Sequence, residues 1–495
     1  MKLSVINVEN DKLIHAINKI ANLYFEEVEM FKGPSNEVDA TITISIETIN
    51  QLKVHVKVET SEHQVFEYSL EKVSTKNTEK EMYLEQKNLI LRCLLACLTD
   101  WTGITQKWGI LTGIRPTKLL HKQRKSNISK EEAKQYLKDT YLISDEKLEL
   151  MQEIVDRQLK VIPDLYHLKQ EVSLYIGIPF CPTKCAYCTF PAYAIGVHKD
   201  SVETYLQALH EEIKAIGSYL TKKNINVTTI YFGGGTPTAI TAQQMDKLYT
   251  LVYESFPLSK LREVTVEAGR PDTITEDKIN VLKKFKIDRI SINPQSYTQN
   301  TLKAIGRHHT VKETIDKYGL AKEMGMNNIN MDLIIGLPNE GVEELRISLE
   351  ETEKLMPESL TVHTLSFKRA SEMSQNKNKY KVASRAEVNE MMDMAIDWTK
   401  AHGYYPYYLY RQKNILGNLE NVGYSIDGQE SLYNIMIMEE EQSIIGLGCG
   451  ATSKFMSEKN ETITPFANPK DLITYNQSYQ KYIDDKLALL KQYFN

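Results

Sequence analysis

Gly177-Ile178-Pro179-Phe180-Cys181-Pro182-Thr183-Lys184-Cys185-Ala186-Tyr187-Cys188 follows directly on the apolar run Leu174-Tyr175-Ile176. The stretch holds three cysteines at C-x3-C-x2-C spacing on a short loop. A loop this short can bend so that its thiolates converge on one soft metal centre. Thiolates favour iron–sulfur clusters and zinc over hard cations. A structural zinc site wants four protein ligands, and no fourth Cys or His follows at close spacing. Three thiolates instead suit a [4Fe–4S] cluster with one iron left open for an outside ligand. The bland alternative is three buried thiols with no common role, and the motifs downstream weigh against it.

Around this loop the chain alternates strand and helix. Apolar, β-branched runs at 174–177, 228–232, 264–267, 289–292, 328–335 and 360–364 read as strands. Helical patterns at 202–220, 243–256, 276–285, 311–324 and 341–355 separate them. Such alternation predicts a parallel sheet with right-handed crossovers. The fold class is therefore α/β, an incomplete (β/α)6 barrel. In barrels the chemistry sits at the carboxyl ends of the strands, where the thiolate loop falls.

Polar groups recur at those ends. The second strand runs into Gly233-Gly234-Gly235-Thr236-Pro237, whose glycines let backbone approach a ligand closely. The third ends at Glu267 and the fourth near Gln295. Gly306-Arg307 follows with a guanidinium, whose planar fork suits a carboxylate. Asp332 stands inside the apolar fifth strand, where an acid needs a partner. Each alone is as well explained by structure as by function; together they point to a site.

The flanks divide the chain into 1–165, an α+β then helical region; 166–375, the barrel; and 376–495, a capping region. In the first, strands are expected at 3–8, 41–46, 54–58 and 66–70, with a hairpin at Asn50-Gln51. Helices are expected at 12–25, 80–98 and 130–141, the last capped by Ser129. Residues 108–118 read as a structured loop, in which Arg115 and Lys118 either meet an anion or are solvated. In the last, a helix at 384–402, the tyrosine-rich run 404–410 and a final helix at 471–490 are expected.

The 495 residues carry a net charge of −5 and a pI near 6.2, which argues against a broad basic nucleic-acid surface. No apolar run is long enough for a membrane span and no signal peptide opens the chain, so a cytoplasmic protein is expected. Six cysteines in this length are not a disulfide framework. Cys93 and Cys97, four apart, read as buried free thiols on one helix face. Cys449 lies in a glycine-rich turn, either as a structural thiol or as a distant fourth ligand.

Tyr175, Ile178-Pro179-Phe180-Cys181, Gly233-Gly234-Gly235-Thr236-Pro237, Gln295-Ser296, Gly306-Arg307 and Asp332-Leu333-Ile334-Ile335-Gly336-Leu337-Pro338 together resemble the oxygen-independent coproporphyrinogen III oxidase family. This family, also called coproporphyrinogen dehydrogenase, lies within the radical S-adenosylmethionine (SAM) superfamily. The resemblance covers about residues 170–370, and 108–118 with the long amino-terminal region is similar to the HemZ-type branch. It implies that Cys181, Cys185 and Cys188 hold a [4Fe–4S] cluster whose open iron binds SAM. Tyr175, Gly234, Glu267 and Arg307 would contact that SAM. Tyr187, Gly235, Thr236, Gln295 and Asp332 would line a second SAM position, with Ser366 near it.

The implied activity is radical oxidative decarboxylation of coproporphyrinogen III to protoporphyrinogen IX in haem biosynthesis. An electron donor such as flavodoxin or ferredoxin is implied with it. The substrate's propionates would need cations, for which Lys368, Arg369, Arg411 and Lys413 are candidates. One departure stands out: better-studied members carry a further cysteine two residues after the third, and here that residue is Phe190. The departure keeps a rival open, a haem-binding chaperone on the same scaffold. A radical SAM enzyme for another substrate and a simple electron-transfer protein are the remaining rivals.

Overall fold

Alternating β-branched residues in the amino-terminal part pleat into strands, and the amphipathic runs coil against them. The structure is a computed structural model. It describes every residue except 26, 36, 49, 50, 74–77, 114, 368–370, 377, 378, 413, 414, 458–461 and 495. Asn50 of the expected hairpin, and the propionate candidates Lys368, Arg369 and Lys413, lie outside the described residues. Met1–Glu153 form one compact unit and Ile154–Asn495 another.

In the first unit, β1 (Lys2–Ile6), α1 (Asp11–Ala21), β2 (Glu29–Lys32), β3 (Ala40–Thr48), β4 (Leu52–Thr60) and β5 (Val65–Lys72) form a sheet of order β2-β1-β3-β4-β5. Helices α2 (Glu79–Thr102), α3 (Thr117–Lys125), α4 (Lys130–Tyr141) and α5 (Asp145–Val161) follow, the unit boundary falling inside α5. The inward residues of β4 (Val54, Val56, Val58) meet Leu89, Cys93 and Cys97 of α2 in one apolar core. The Cys97 thiol donates to the Val56 carbonyl at 3.6 Å, and burial pushes it up to about 12, so it stays protonated. Ser129 caps α4 as expected, and Glu132 completes a reciprocal cap with it.

The second unit runs β6 (Val172–Ile178), β7 (Phe180–Cys181), β8 (Tyr193–Ala194), α6 (Lys199–Lys222), β9 (Val227–Gly234), α7 (Ala242–Ser255), β10 (Glu263–Val266) and α8 (Glu276–Lys284). It continues with β11 (Arg289–Ser291), α9 (Gln299–Ala304), α10 (Val311–Glu323), β12 (Ile329–Ile335), α11 (Val342–Leu355), β13 (Ser359–Thr364), α12 (Glu372–Gln375) and α13 (Arg385–Ala401). It closes with β14 (Tyr405–Tyr410), β15 (Asn421–Ser425), α14 (Leu432–Glu439), β16 (Ser443–Leu447), β17 (Thr452–Met456), β18 (Ile463–Ala467) and α15 (Leu472–Tyr493).

The sheet order is β14-β15-β13-β12-β11-β10-β9-β6-β16-β17-β18. The six strands expected for the barrel lie side by side and parallel, in chain order, and the sheet does not close on itself. This is a partial α/β barrel. A seventh parallel strand, β16, joins beside β6 from the far end of the chain. Residues 376–495, expected as a cap, thus place five strands in the barrel's own sheet. Both border strands, β14 and β18, contain a proline, Pro406 and Pro465, and β14 is bulged between Pro406 and Tyr408. Among the described residues no helix is long and apolar enough to cross a membrane.

Helix α14 is seated at the amino end of β10. The Glu263 carboxylate accepts from the Leu432 and Tyr433 N–H groups at 2.7 and 3.0 Å and from the Ser431 hydroxyl at 3.1 Å. Tyr433 then stacks on Tyr231 of β9, ring centroids 4.4 Å apart, with Tyr175 of β6 beside them. Replacing Glu263 with Ala strips these buried donors of their acceptor. The loss should be about 1–3 kcal/mol of stability, read as a lowered urea-unfolding midpoint.

Candidate active site at the carboxyl ends of the parallel strands

The cysteine loop is irregular, so its backbone groups have to be satisfied from outside. The end of β9 does part of this. Gly235 N–H donates to Ile178 O at 2.8 Å and Thr236 N–H to Phe180 O at 2.7 Å. A Cβ on Gly235 would lie 2.7 Å from Phe180 O and 3.1 Å from Cys181 Sγ, and Gly234 sits at φ +110°. The glycine run therefore lets β9 lie directly against the thiol loop. On the other side Ala186 N–H donates to Ile305 O and Ile195 N–H to Cys181 O. The short pair β7–β8 ties the loop's beginning to its end.

Cys181, Cys185 and Cys188 are close enough that the charge of the second and third would act on the first. Burial above all pushes the Cys181 thiol up to about 11, while the Thr236 hydroxyl 3.2 Å away opposes the shift. The Arg307 guanidinium is near enough to the Cys185 thiol and the Tyr187 hydroxyl for the groups to act on one another, and donates to Asn293 O at 2.6 Å. Buried Arg270 pairs with Asp272 at 3.0 Å and reaches Thr183 O in the loop.

A second cluster lines the barrel wall. Tyr231 donates to Glu267. Asp332 accepts from Asn293 and Asn330, each at 2.7 Å, and lies 3.5 Å from His363 Nε2. The other His363 ring nitrogen meets the Tyr410 hydroxyl at 3.2 Å. Gln295 sits at φ +67°, and its backbone bridges to β12 around Asp332. Ser366 is buried and bridges to Ile415.

The contacts group the expected residues along their own line. Thr236, Tyr187 and Arg307 gather with the cysteines, whereas Tyr175, Gly234 and Glu267 share the wall with Asp332. Arg411, a propionate candidate, is 5% exposed and donates to Asn418, so it is engaged inside the fold. The Cys449 thiol donates to Lys470 O at 3.4 Å. Sequence reasoning missed Asn293, Tyr231, Arg270, His363, Tyr410 and Tyr433. A histidine inside a β-strand run was a readable signal; nothing local marked Tyr433.

The donors fit a thiolate-held cluster and an organic ligand beside it. Among the described residues no three Cys, His, Asp or Glu side chains are arranged to hold a single metal ion. A four-iron cluster takes each thiolate on a different iron, so its ligands stand further apart than those of one ion. Beside the loop, Arg307 Nε and Asn293 Oδ1 are buried with no partner among the described residues. A ligand presenting both an acceptor and a donor would satisfy them.

Glu267 and Asp332 are shifted in opposite directions. Burial pushes Glu267 from 4.5 to about 7; the Tyr231 hydrogen bond opposes this and the Asp332 charge adds to it. Burial also acts to raise Asp332, but His363, Asn330 and Thr361 outweigh it and hold its carboxyl below the usual value. Between about pH 4.5 and 7 the folded chain keeps a Glu267 proton that the unfolded chain has released. That contribution to stability falls as pH rises through the window. The Glu267→Gln variant should show a flatter plot of unfolding midpoint against pH there, with Glu340, also pushed by burial to about 7, keeping its own share of the slope.

Residues 175–351 match the radical SAM superfamily, which implies a [4Fe–4S] cluster and SAM as cofactors. The chain is 60% identical to the oxygen-independent coproporphyrinogen-III oxidase-like protein HemZ of Bacillus subtilis (strain 168), over 100% of this chain and 99% of that protein. It is 30% identical to the heme chaperone HemW of the same organism, over 61% of this chain and 76% of that one. Its fold is similar to coproporphyrinogen III oxidase (HemN) from Escherichia coli, with a TM-score of 0.50 and 21% identity over 65% of this chain and 72% of that one. With a relative this similar from end to end, the chain belongs to the oxygen-independent coproporphyrinogen-III oxidase-like family of radical SAM proteins.

Proposed function

We propose that the protein catalyses oxidative decarboxylation of coproporphyrinogen III to protoporphyrinogen IX in haem biosynthesis. Cys181, Cys185 and Cys188 hold the [4Fe–4S] cluster. The observation that carries the reading is the thiol loop itself, tied on both flanks at the carboxyl end of a parallel sheet. When bound, the cluster and SAM supply a radical able to remove hydrogen from an unactivated carbon. The chain's own part is orientation and exclusion of water. Arg307, with Nε still unpaired among the described residues, receives a carboxylate. Glu267 and Asp332 accept from hydroxyl or ammonium groups, at the cluster and at a second SAM position respectively. Tyr175, Gly234, Tyr187, Gly235, Thr236, Gln295 and Ser366 complete the walls. The electron donor is a small redox protein such as flavodoxin or ferredoxin.

A second reading is a haem chaperone on the same scaffold. It is favoured by Phe190, 56% exposed where better-studied oxidases carry a cysteine.

The deciding experiment incubates anaerobically reconstituted protein with SAM, a reductant and coproporphyrinogen III. A mass loss of two formic-acid equivalents from the porphyrinogen is expected. No 5′-deoxyadenosine above the substrate-free blank, with stoichiometric haem binding, would reject the oxidase and leave the carrier. Replacing Asp332 with Asn removes a fixed anionic acceptor while preserving size. Turnover should drop by about tenfold or more, with iron content per chain unchanged, as measured by metal analysis beside product mass.

A further inference from the structure

The turn Gly446-Leu447-Gly448-Cys449-Gly450 lies outside the residues that match the superfamily. It leaves β16 where that strand runs beside β6. A Cβ on Gly448 would come within 2.5 Å of Gly177 O, and one on Gly450 within 2.5 Å of Pro191 Cγ. Gly177 precedes the cysteine loop and Pro191 follows it. The turn therefore presses on both ends of the stretch that carries Cys181, Cys185 and Cys188.

A buried ion pair holds the turn in place. Lys486 of α15 meets Glu212 of α6 at 2.5 Å, with side chains 0% and 1% exposed. Lys486 also donates to Gly446 O at 2.5 Å, and Gly448 N–H donates to Glu212 at 2.7 Å. Asn468 donates to both Glu212 and Gly448 O at 2.9 Å, and Tyr475 to Glu212 at 2.7 Å. Tyr205, also on α6, donates to Gly177 O. On the loop's other flank Tyr193 donates to Lys470 O, the carbonyl that also takes the Cys449 thiol.

Apolar contacts would join α6 to α15 at less cost, because burying two charges is expensive even when they are paired. This pair spends its hydrogen bonds on the backbone of the turn. We propose that Glu212 and Lys486 are positioning residues for the cluster. They fix the 446–450 turn against both ends of the thiolate loop, and so set how the three sulfurs face one another. The inference rests on reading those cysteines as cluster ligands.

The test compares the wild-type chain with the double variant Glu212→Leu/Lys486→Met, which keeps apolar volume and leaves no lone buried charge. Three quantities are measured: the thermal midpoint, the rate of iron loss from reconstituted protein to a chelator, and the alkylation rate of each cysteine in the cluster-free chain. The double variant leaves Gly448 N–H, Asn468 and Tyr475 without their acceptor, so its midpoint should fall; well below that midpoint it should lose iron about tenfold faster and expose Cys181, Cys185 and Cys188 to faster alkylation. Cys93 and Cys97 should react at their wild-type rates. Wild-type rates of iron loss and of loop alkylation would overturn the proposal.

Should the double variant fail to fold, Asn468→Ala decides. It removes one tether of the turn without unpairing the ions, and must speed loop alkylation or the idea is lost. A wild-type chain that takes up no iron would sink the ligand reading, while the alkylation comparison still judges the clamp.

Discussion

Three thiols on a twelve-residue stretch that leaves the main sheet after Ile178 put irregular backbone beside them, and the rest of the second unit meets this constraint. The hydrogen bonds of the stretch go to the end of β9, to Ile305 and to the strand fragment at Tyr193–Ala194. Each partner comes from a different part of the chain, so the loop has its shape only when the sheet is assembled. The glycines at 233–235 matter first as room: with Gly234 at φ +110° and Gly235 against Phe180 O, side chains there would hold β9 away from the sulfurs. A site made in this way inherits the rigidity of the sheet.

The wall beside the loop separates two carboxylates by surroundings alone. Glu267 has one strong donor, Tyr231, and is flanked by aromatic rings, so it holds its proton toward neutrality. Asp332 is met by Asn293, Asn330 and His363 and stays ionised. Environments that drive two like groups apart divide the labour of proton holder and fixed anion between them. The stacked Tyr175, Tyr231 and Tyr433 keep that part of the interior apolar.

The barrel was legible because its strands are β-branched runs separated by amphipathic helices, and period alone places them. The thiol loop, Arg307, Glu267 and Asp332 were legible because their chemistry is unusual at strand ends. The carboxyl-terminal strands were not. Gly446-Leu447-Gly448-Cys449-Gly450 reads as a glycine-rich turn, although Gly446 and Leu447 belong to β16. Yet Gly446 is a glycine because a Cβ would meet the Thr452 backbone at 2.7 Å in the neighbouring segment. Helix α3 was hidden likewise: Pro116, which reads as a breaker, stands just ahead of its first turn. Lys486 and Glu212 each sit on a helix among many charged residues, and only tertiary packing shows that these two face inward.

Among the described residues the open sheet has eleven strands and two borders, and each ends in a strand with a proline: Pro406 in β14, next to a bulge, and Pro465 in β18. Proline lacks the N–H that an incoming strand needs, and a bulge spoils its register. The barrel thus gains width from the end of the chain while its new edges are blunted as templates for pairing. Each margin thereby offers an incoming strand one donor fewer, and at β14 an interrupted register as well.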